Sequence, residues 1–470
     1  MLRADRLEQD LIDEQAASRR TRRGFWLGKG SLAILDQGLI SSSNFFISIL
    51  LARWLFPEQY GAYALTFEIF SLLSLSYQAL ILEPMSVFGP SVYRNQLGQY
   101  LGMLLWVHLA LSSMIMVALG ASAGVVREVA STRGLAQALA GVALAAPSVL
   151  LLRLARQAFY VKLAPREAVL GAVVYSAVVL GGLFVVYQRH LLSPFVAFLL
   201  MGLGALVTCP VLLSRLKPTL EKTPRFQSLR EIGRRHWVYG RWALASSVLI
   251  SSPWMIQYTA LSLFSGMAAS ASLRALLNLY LPITQALTAF SLLSLPYAAR
   301  VYQRNGLARV EQLAWRLQAL YGGGALAYWT VLILLRKPIV SFLYAGRYDG
   351  VADLLPWLAL GSVLWAAGMA QAISLRAIQS PASVFAAYAT CGAVALVAGV
   401  PATWIFGLQG AVCTVVCSSA TAVGAGFILL RRRTRAVSGT FALVAKARPT
   451  LGGLAATQPE PATGAWDTDG

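Results

Sequence analysis

Charged residues are scarce in this sequence. Asp, Glu, Lys and Arg make up only 12% of its 470 residues, whereas 57% are hydrophobic. About a quarter of the residues in soluble domains are charged, so most of this chain cannot be solvated by water on all sides. The scarcity therefore excludes an ordinary soluble domain and predicts a protein that has lipid as its main solvent.

Cysteine and histidine are also rare, with four and three copies respectively. The cysteines fall in apolar runs, and neither residue type shows the spacing of a zinc site. The sequence also lacks a glycine-rich phosphate loop and a nucleophile elbow. We therefore expect no metal, no cofactor and no catalytic site, and we predict that the chain is not an enzyme.

Long apolar runs make up most of the sequence. Twelve runs have about 18 to 26 residues, the length that crosses a hydrocarbon core of ~30 Å. They cover residues 32–54, 61–83, 97–120, 135–152, 168–187, 191–213, 238–260, 270–295, 313–335, 354–375, 383–404 and 407–430. Six lie on each side of a polar segment, as in duplicated transporters. The predicted fold is all-α: a polytopic membrane protein of about twelve transmembrane helices in two six-helix lobes.

These runs divide the chain into five predicted parts. The two lobes cover 31–213 and 238–430, and a cytoplasmic linker, 214–237, joins them. A basic cytoplasmic tail, 1–30, has no apolar run and is therefore not a cleavable signal peptide. The cytoplasmic tail at 431–470 turns to Pro, Ala, Gly and Thr, which cannot form a packed core, so we predict that it is disordered.

The distribution of Lys and Arg predicts the orientation. These residues are concentrated in the linker, in both tails and in loops on the same side, including the loop with Arg153 and Arg156. Basic loops are retained in the cytoplasm, so the linker and both termini are expected there. The same asymmetry, with attraction to anionic headgroups, explains the formal net charge of +20, and we expect no nucleic-acid partner.

Polar side chains recur inside the predicted helices at helical spacing. In the first helix they occupy positions i, i+4, i+7 and i+11, which are Gln37, Ser41, Asn44 and Ser48. In the eighth helix, Arg274, Asn278 and Gln285 share a face. Such side chains are costly in contact with lipid. They either line a hydrated central path as substrate-binding groups or bond one helix to another.

Five charged residues in or near these helices are candidates for binding, coupling or gating. Arg53 and Arg274 lie near the outer ends of helices one and eight, where an arginine can snorkel to the surface or bind an anion. Glu68, deeper in helix two, is either a protonatable coupling site or the partner of an arginine such as Arg274. Asp36 is a second candidate for coupling, and Glu83, which precedes a proline, is a candidate hinge or gate.

Two stretches around the first turn resemble the opening of polysaccharide flippases. They run from Leu35 to Phe46 (LDQGLISSSNFF) and from Leu51 to Leu65 (LARWLFPEQYGAYAL). These flippases belong to the multidrug, oligosaccharidyl-lipid and polysaccharide exporter superfamily, and their first helix typically ends in Leu-Ala-Arg-x-Leu followed by Pro-Glu-x-Tyr-Gly. Arg53 and Gly61 match the arginine and the glycine of these elements. The twelve-helix layout extends the similarity over residues 30 to 435.

The resemblance implies a function, a location and partners. Proteins of this kind move polyprenyl-pyrophosphate-linked oligosaccharides from the inner to the outer leaflet of the bacterial inner membrane, by alternating access between two lobes. We therefore expect lipid-linked oligosaccharide and membrane lipids as partners. A polysaccharide polymerase and glycosyltransferases of exopolysaccharide, O-antigen or capsule synthesis are expected as well. Arginines would meet the pyrophosphate, and Ser, Asn and Gln side chains would meet the sugar.

Three other functions stay open from the sequence. A proton- or sodium-coupled drug or metabolite antiporter of the same superfamily would use Glu68 or Asp36 for coupling. A membrane polymerase or ligase would need catalytic Arg or His residues in a large outer loop, and the longest such loop covers 336–353. The third is a non-transporting scaffold. Transport in any form requires that polar side chains from the two lobes converge on a hydrated path through the bilayer.

Overall fold

The structure is a computed structural model that describes residues 31–32, 35–128, 133–219, 226–378 and 380–446. Within these ranges the chain is almost entirely helical and has no β-strand. The predicted all-α fold is therefore confirmed. The predicted N-terminal tail, 1–30, and residues from 447 onward lie outside the described part of the chain.

Six helices form the first half of the chain. They are α1 Leu35–Trp54, α2 Pro57–Phe88, α3 Leu97–Arg127, α4 Arg133–Val161, α5 Pro165–Gln188 and α6 Pro194–Leu216. Three of these helices begin at a proline, which suits the first helical position because the N–H that proline lacks has no partner there. Helix α4 runs past the predicted end at residue 152. Arg153 and Arg156, predicted as loop residues, are therefore helical.

The second half begins with the long helix α7, Phe226–Phe264. The continuous stretch Met267–Leu334 is divided at Gly306 into α8, 267–305, and α9, 307–334. The remaining helices are α10 Arg336–Tyr344, α11 Leu355–Ala377, α12 Pro381–Val397 and α13 Gly399–Lys446, which is interrupted at Gly407. Both dividing glycines have positive φ, 73° and 55°, which glycine adopts without steric cost.

Each of the twelve predicted spans coincides with a helix in the described part of the chain. The predicted break between the last two spans falls at Gly407. Nine described helices are long and apolar enough to cross a membrane. The other three predicted spans correspond to α7 and α8, which carry many polar residues, and to the short helix α12. Helix α7 begins at Phe226, well before the predicted start at 238, and α13 continues past 430 to Lys446.

Helix α2 is the main contact between the two halves. Within the first half, α4 packs against α3 and α6, and within the second half α11 packs against α13 and the Met267–Leu334 stretch. Across the boundary, α2 packs against both α7 and α8. Two ends of this boundary are named below by their connections. The turn end holds the turns at 55–56 and 265–266, and the linker end holds residues 217–219 and the start of α7.

At the turn end, the backbones of α2 and α8 come into direct contact. A Cβ atom placed on Gly61 would lie 1.7 Å from the carbonyl oxygen of Met267. No side chain fits in that space, so only glycine permits this approach. Gly61 is the glycine of the flippase-like element, and its structural role here is to let the halves close.

At the linker end, α2 is irregular and is bonded to α7. Residues Gln78–Leu82 form a π-helical turn, and Pro84 lacks the N–H that a regular helix would direct at the Leu80 carbonyl. His236 Nδ1 lies 2.9 Å from that carbonyl oxygen, and its Nε2 lies 2.7 Å from the Tyr100 hydroxyl. Because a carbonyl only accepts, Nδ1 donates and a neutral ring accepts from Tyr100 at Nε2. The irregular turn of α2 is thus held by the other half of the chain.

Candidate functional site

Polar side chains from both halves meet near the turn end. Ser48 Oγ of α1 donates to Asn278 Oδ1 of α8 at 2.8 Å and lies 2.9 Å from the Tyr60 hydroxyl. Asn278 Nδ2 donates to the same Tyr60 hydroxyl at 3.1 Å. Asn278 and Tyr60 are fully buried. The "inter-half cluster" consists of Ser48, Tyr60, Glu68, Arg274 and Asn278.

Arg274 carries the positive charge of the inter-half cluster. Its Nη1 donates to Glu68 Oε1 at 2.9 Å, and its Nε donates to Ser48 Oγ at 3.4 Å. The guanidinium also lies over the Phe67 ring, 4.5 Å from the centroid, where the ring quadrupole attracts a cation. The Arg274 side chain is 9% exposed and that of Glu68 is 20% exposed. An ion pair this buried is costly to break by removing one partner, because the other charge stays unpaired.

Tyrosines enclose the inter-half cluster. The Tyr344 hydroxyl donates to the Ala275 carbonyl at 2.8 Å and accepts from Asn278 Nδ2 at 3.5 Å. Tyr348 packs edge-on against Tyr344 and Tyr60, with ring centroids 5.4 and 6.3 Å apart. The side chains of the inter-half cluster therefore bond to one another, and all but Glu68, which is 20% exposed, are buried at this end.

Two further arginines cross between the halves at the turn end. Arg53 Nη1 donates to the Phe342 carbonyl at 3.4 Å, and Arg347 donates to the Leu55 carbonyl. Arg53 is exposed. The turn end is thus closed by backbone contact, by an ion pair and by arginine-to-carbonyl bonds.

The structure brings together four of the predicted site residues and separates the others. Ser48, Glu68, Arg274 and Asn278 form the inter-half cluster. Gln37 and Gln285 are exposed, and Ser41 and Asn44 are partly buried outside the cluster. The sequence reasoning did not single out Tyr60 and Tyr344. Tyr60 had a signal, because it precedes Gly61 in the flippase-like element.

Asp36 lies inside the first half and away from the inter-half cluster. It accepts from Arg156 Nη2 at 2.6 Å and from the Tyr160 hydroxyl at 2.5 Å, and it is 2% exposed. Arg153, one turn earlier on α4, donates to Ser74 of α2. This part of the first half therefore has its own buried ion pair, which joins α1 to α4.

The linker end is open where the turn end is closed. A cleft of about 890 Å³ lies between the end of α2 and the start of α7. Its walls are Glu83, Phe88, Arg234, Arg235, Val238, Tyr239 and Ala243. The candidate gate residue Glu83 is exposed there and accepts from the Tyr239 hydroxyl at 3.5 Å. We call this site the "linker-end cleft".

Neither site has the ligands of a metal centre. In the described ranges, no three His, Cys, Asp or Glu side chains come together as a metal site would require. The chemistry of both sites is that of guanidinium, carboxylate, hydroxyl and amide groups, which bind anions and polyols and can exchange one hydrogen-bond partner for another.

The fold of this chain is similar to the folds of several solved structures. No protein-family profile and no curated protein matches the sequence. Among solved structures, an inward-facing multidrug resistance MATE family transporter of the MOP superfamily has a TM-score of 0.70 and 16% identity, over 87% of this chain and 99% of that one. An outward-facing MATE family transporter has a TM-score of 0.59 and 17% identity, over 87% and 95%.

A third solved structure is a MOP superfamily transporter from Pyrococcus furiosus, described as having a binding pocket of reverse polarity. Its TM-score is 0.60 at 16% identity, over 87% of this chain and 94% of that one. All three of these proteins are described as transporters. The chain is a multi-pass membrane protein with the fold of the MATE transporters of the MOP superfamily.

Proposed function

We propose that the protein is an alternating-access flippase for polyprenyl-diphosphate-linked oligosaccharide. The observation that carries this proposal is the polar inter-half cluster. Membrane helices associate through packed small residues and through hydrogen bonds between polar side chains, but seldom through buried charges. Here two largely buried charges and three neutral polar groups join the halves, and each of these groups can exchange its partner for water when the halves separate. Such a contact suits an interface that opens during function.

In this structure the boundary between the halves is open at the linker end and closed at the turn end. The basic residues of the linker favour the cytoplasm for that end. The higher TM-score against the inward-facing transporter, 0.70 against 0.59 for the outward-facing one, supports the same orientation. On this basis the cargo enters from the cytoplasmic leaflet and leaves at the turn end, after the inter-half cluster has separated.

The charges along the boundary favour an anionic cargo. Arg234 and Arg235 line the open linker-end cleft, and Arg274 lies in the closed turn end. A diphosphate group is attracted by guanidinium groups and can bond to them in bidentate fashion, whereas an organic cation is repelled. The cleft of about 890 Å³ has room for a sugar head, while the polyprenyl chain can stay in lipid. With this cargo, we expect glycosyltransferases and a polysaccharide polymerase to be the functional partners of the protein.

A coupled drug or metabolite antiporter is the second candidate, and the fold shared with multidrug transporters favours it. Such an antiporter needs an acid that binds a proton or sodium ion. Both candidate acids are already paired, Glu68 with Arg274 and Asp36 with Arg156. An arginine partner occupies the place of the coupling cation, so this arrangement favours the flippase.

A direct transport assay tests the proposal. The purified protein is reconstituted into vesicles that contain a lipid-linked oligosaccharide with a short polyprenyl chain. Translocation is followed by the accessibility of the sugar to a glycosidase added outside. We expect faster sugar exposure than in protein-free vesicles and no counterflow of a fluorescent organic cation. Cation counterflow without sugar-lipid movement would overturn the proposal in favour of the antiporter.

A further inference from the structure

The linker-end cleft is built by both halves of the chain. Glu83 and Phe88 come from the last turns of α2, and Arg234, Arg235 and Tyr239 come from the start of α7. Immediately beside it, a Cβ atom on Gly240 would lie 2.7 Å from the Ala79 carbonyl oxygen, so the helices touch there. Because residues of both helices line the cleft, a bound molecule would contact both halves at once.

Two guanidinium groups in the linker-end cleft are available to a ligand. In the part of the chain that the structure describes, Arg234 is exposed and makes no hydrogen bond or ion pair. Arg235 pairs only with Glu231, one turn away on the same helix, and both side chains are about half exposed (42% and 54%). Exposed pairs of this kind contribute little stability, so an anion can displace Glu231 at small cost. Both arginines line the cleft, and a guanidinium group can bond to each phosphate of a diphosphate.

The rest of the cleft is better suited to a sugar than to the headgroup of an ordinary phospholipid. Phe88 and Tyr239 pack edge to face, with centroids 5.8 Å apart, and present apolar ring surface to the opening. Glu83 accepts from the Tyr239 hydroxyl at 3.5 Å, so a carboxylate and a phenol stand side by side. A carboxylate repels a second anion but accepts hydrogen bonds from sugar hydroxyl groups. The cleft therefore combines an anion site with a polyol site.

We propose that the linker-end cleft is the loading site for the head of the cargo lipid. Arg234 and Arg235 bind its diphosphate, and Glu83 and Tyr239 bind the first sugar. This inference rests on the proposed function and adds the place of first binding. It also gives Glu83, a gate candidate from the sequence, a second role, because a sugar bound to Glu83 and a diphosphate bound to α7 would link the two moving halves.

Binding to the full-length protein in nanodiscs of neutral lipid tests the loading site. The probes are a short-chain polyprenyl diphosphate that carries one sugar, the same diphosphate without sugar, phosphatidylglycerol and inorganic pyrophosphate. For Arg234→Ala with Arg235→Ala, we expect the Kd of both polyprenyl diphosphates to rise about 100-fold, which corresponds to two lost charge-assisted contacts. Arg230→Ala, which removes an exposed charge from the same helix outside the cleft, is the matched control and should change the Kd little.

Glu83→Gln and Tyr239→Phe separate the polyol site from the anion site. We expect both variants to weaken binding of the sugar-bearing probe about tenfold and to leave the sugar-free probe unchanged. Equal weakening of both probes, or unchanged binding by the double arginine variant, would overturn the loading site. Displacement of the sugar-bearing probe by an equal concentration of phosphatidylglycerol would also overturn it and identify a general anionic-lipid patch.

Failure of the loading site is distinguishable from failure of the proposed function. If the wild-type protein moves lipid-linked oligosaccharide and the double arginine variant moves it equally fast, the cargo is correct and the loading site is wrong. If the wild-type protein neither binds nor moves the diphosphate lipid, the proposed function itself is wrong, and the loading site with it.

Discussion

Arg274 of α8 donates a hydrogen bond to Glu68 of α2 at 2.9 Å, across the boundary between the two halves. Measured from the start of α8 at Met267, Arg274 lies about 10 Å along the helix. At that depth a charge needs a partner. The first half supplies Glu68 as the partner of Arg274, and the second half supplies Arg274 as the partner of Glu68. The pair is satisfied when the turn end is closed and must be separated for it to open.

We expect single substitutions of this pair to impair closure of the turn end. Arg274→Ala leaves Glu68 buried without a partner, and Glu68→Ala leaves Arg274 in the same situation, which costs about 3–5 kcal/mol for a buried pair. Each variant should reduce flipping of lipid-linked oligosaccharide at least about tenfold, since every 1.4 kcal/mol changes a population tenfold. The measurement is the vesicle assay at matched protein abundance.

The charge-reversed double variant, Glu68→Arg with Arg274→Glu, is the control. It restores a pair of opposite charges across the boundary and should recover part of the lost rate. If each single variant flips the lipid at the wild-type rate, the ion pair has no part in closure.

Gly61 should tolerate no side chain. For Gly61→Ala, the new Cβ would lie 1.7 Å from the Met267 carbonyl oxygen, so α2 and α8 must move apart at the turn end. We expect a cysteine placed at Asn278 to be modified by a water-soluble maleimide about tenfold faster in this variant, because loss of about 1.4 kcal/mol of closure exposes the site. Gly124→Ala, on α3 with open space around it, should leave the labelling rate unchanged.

Asp36 should matter for stability more than for ion dependence. It is bonded to Arg156 and Tyr160 inside the first half, so Asp36→Ala leaves a buried arginine unpaired and should lower stability by about 3–5 kcal/mol. Thermal unfolding of the purified protein measures the loss. The double variant Asp36→Ala with Arg156→Met should be more stable than Asp36→Ala alone. A sodium or pH dependence of transport that disappears in Asp36→Asn, with stability unchanged, would instead identify a coupling site.

His236 should hold the irregular turn of α2. His236→Phe removes the donor to the Leu80 carbonyl and the acceptor for the Tyr100 hydroxyl, and leaving buried polar groups unpaired costs about 1–3 kcal/mol each. We expect a lower unfolding temperature and faster hydrogen exchange at residues 78–85. His190→Phe, an exposed change at the end of α5, is the comparison. Equal exchange in both variants would show that His236 does not support the turn.

The helices could be predicted because lipid makes their sequence signal strong. Helices lie at all twelve positions predicted from apolar runs, and the break before the last one falls at Gly407, where a positive φ requires glycine. The starts and ends were less predictable where helices leave the lipid. Helix α7 extends back to Phe226 through a polar stretch, and α4 extends through Arg153 and Arg156, whose charges resemble a loop in sequence although they are bonded inside the fold.

Half of the candidate site followed from helical periodicity. The stripes on α1 and α8 identified Ser48, Arg274 and Asn278, because polar residues in lipid must face protein or water. Periodicity does not show which helices pack their polar faces against each other. The hydroxyl of Tyr60 therefore could not be assigned as a partner of Asn278. Tyr344 was even harder to predict from the sequence. It reaches the inter-half cluster from α10, a helix in the loop where no span was predicted.

The distance between the halves at each end tests the central claim most directly. After replacement of the exposed Cys413 and Cys417, spin labels are placed at Phe56 and Phe342 for the turn end and at Val87 and Trp237 for the linker end; all four positions are exposed. We expect addition of a short-chain lipid-linked oligosaccharide to populate a state with a longer turn-end distance and a shorter linker-end distance. Distances that stay unchanged at both ends, or that lengthen together, would contradict alternating access about the inter-half cluster.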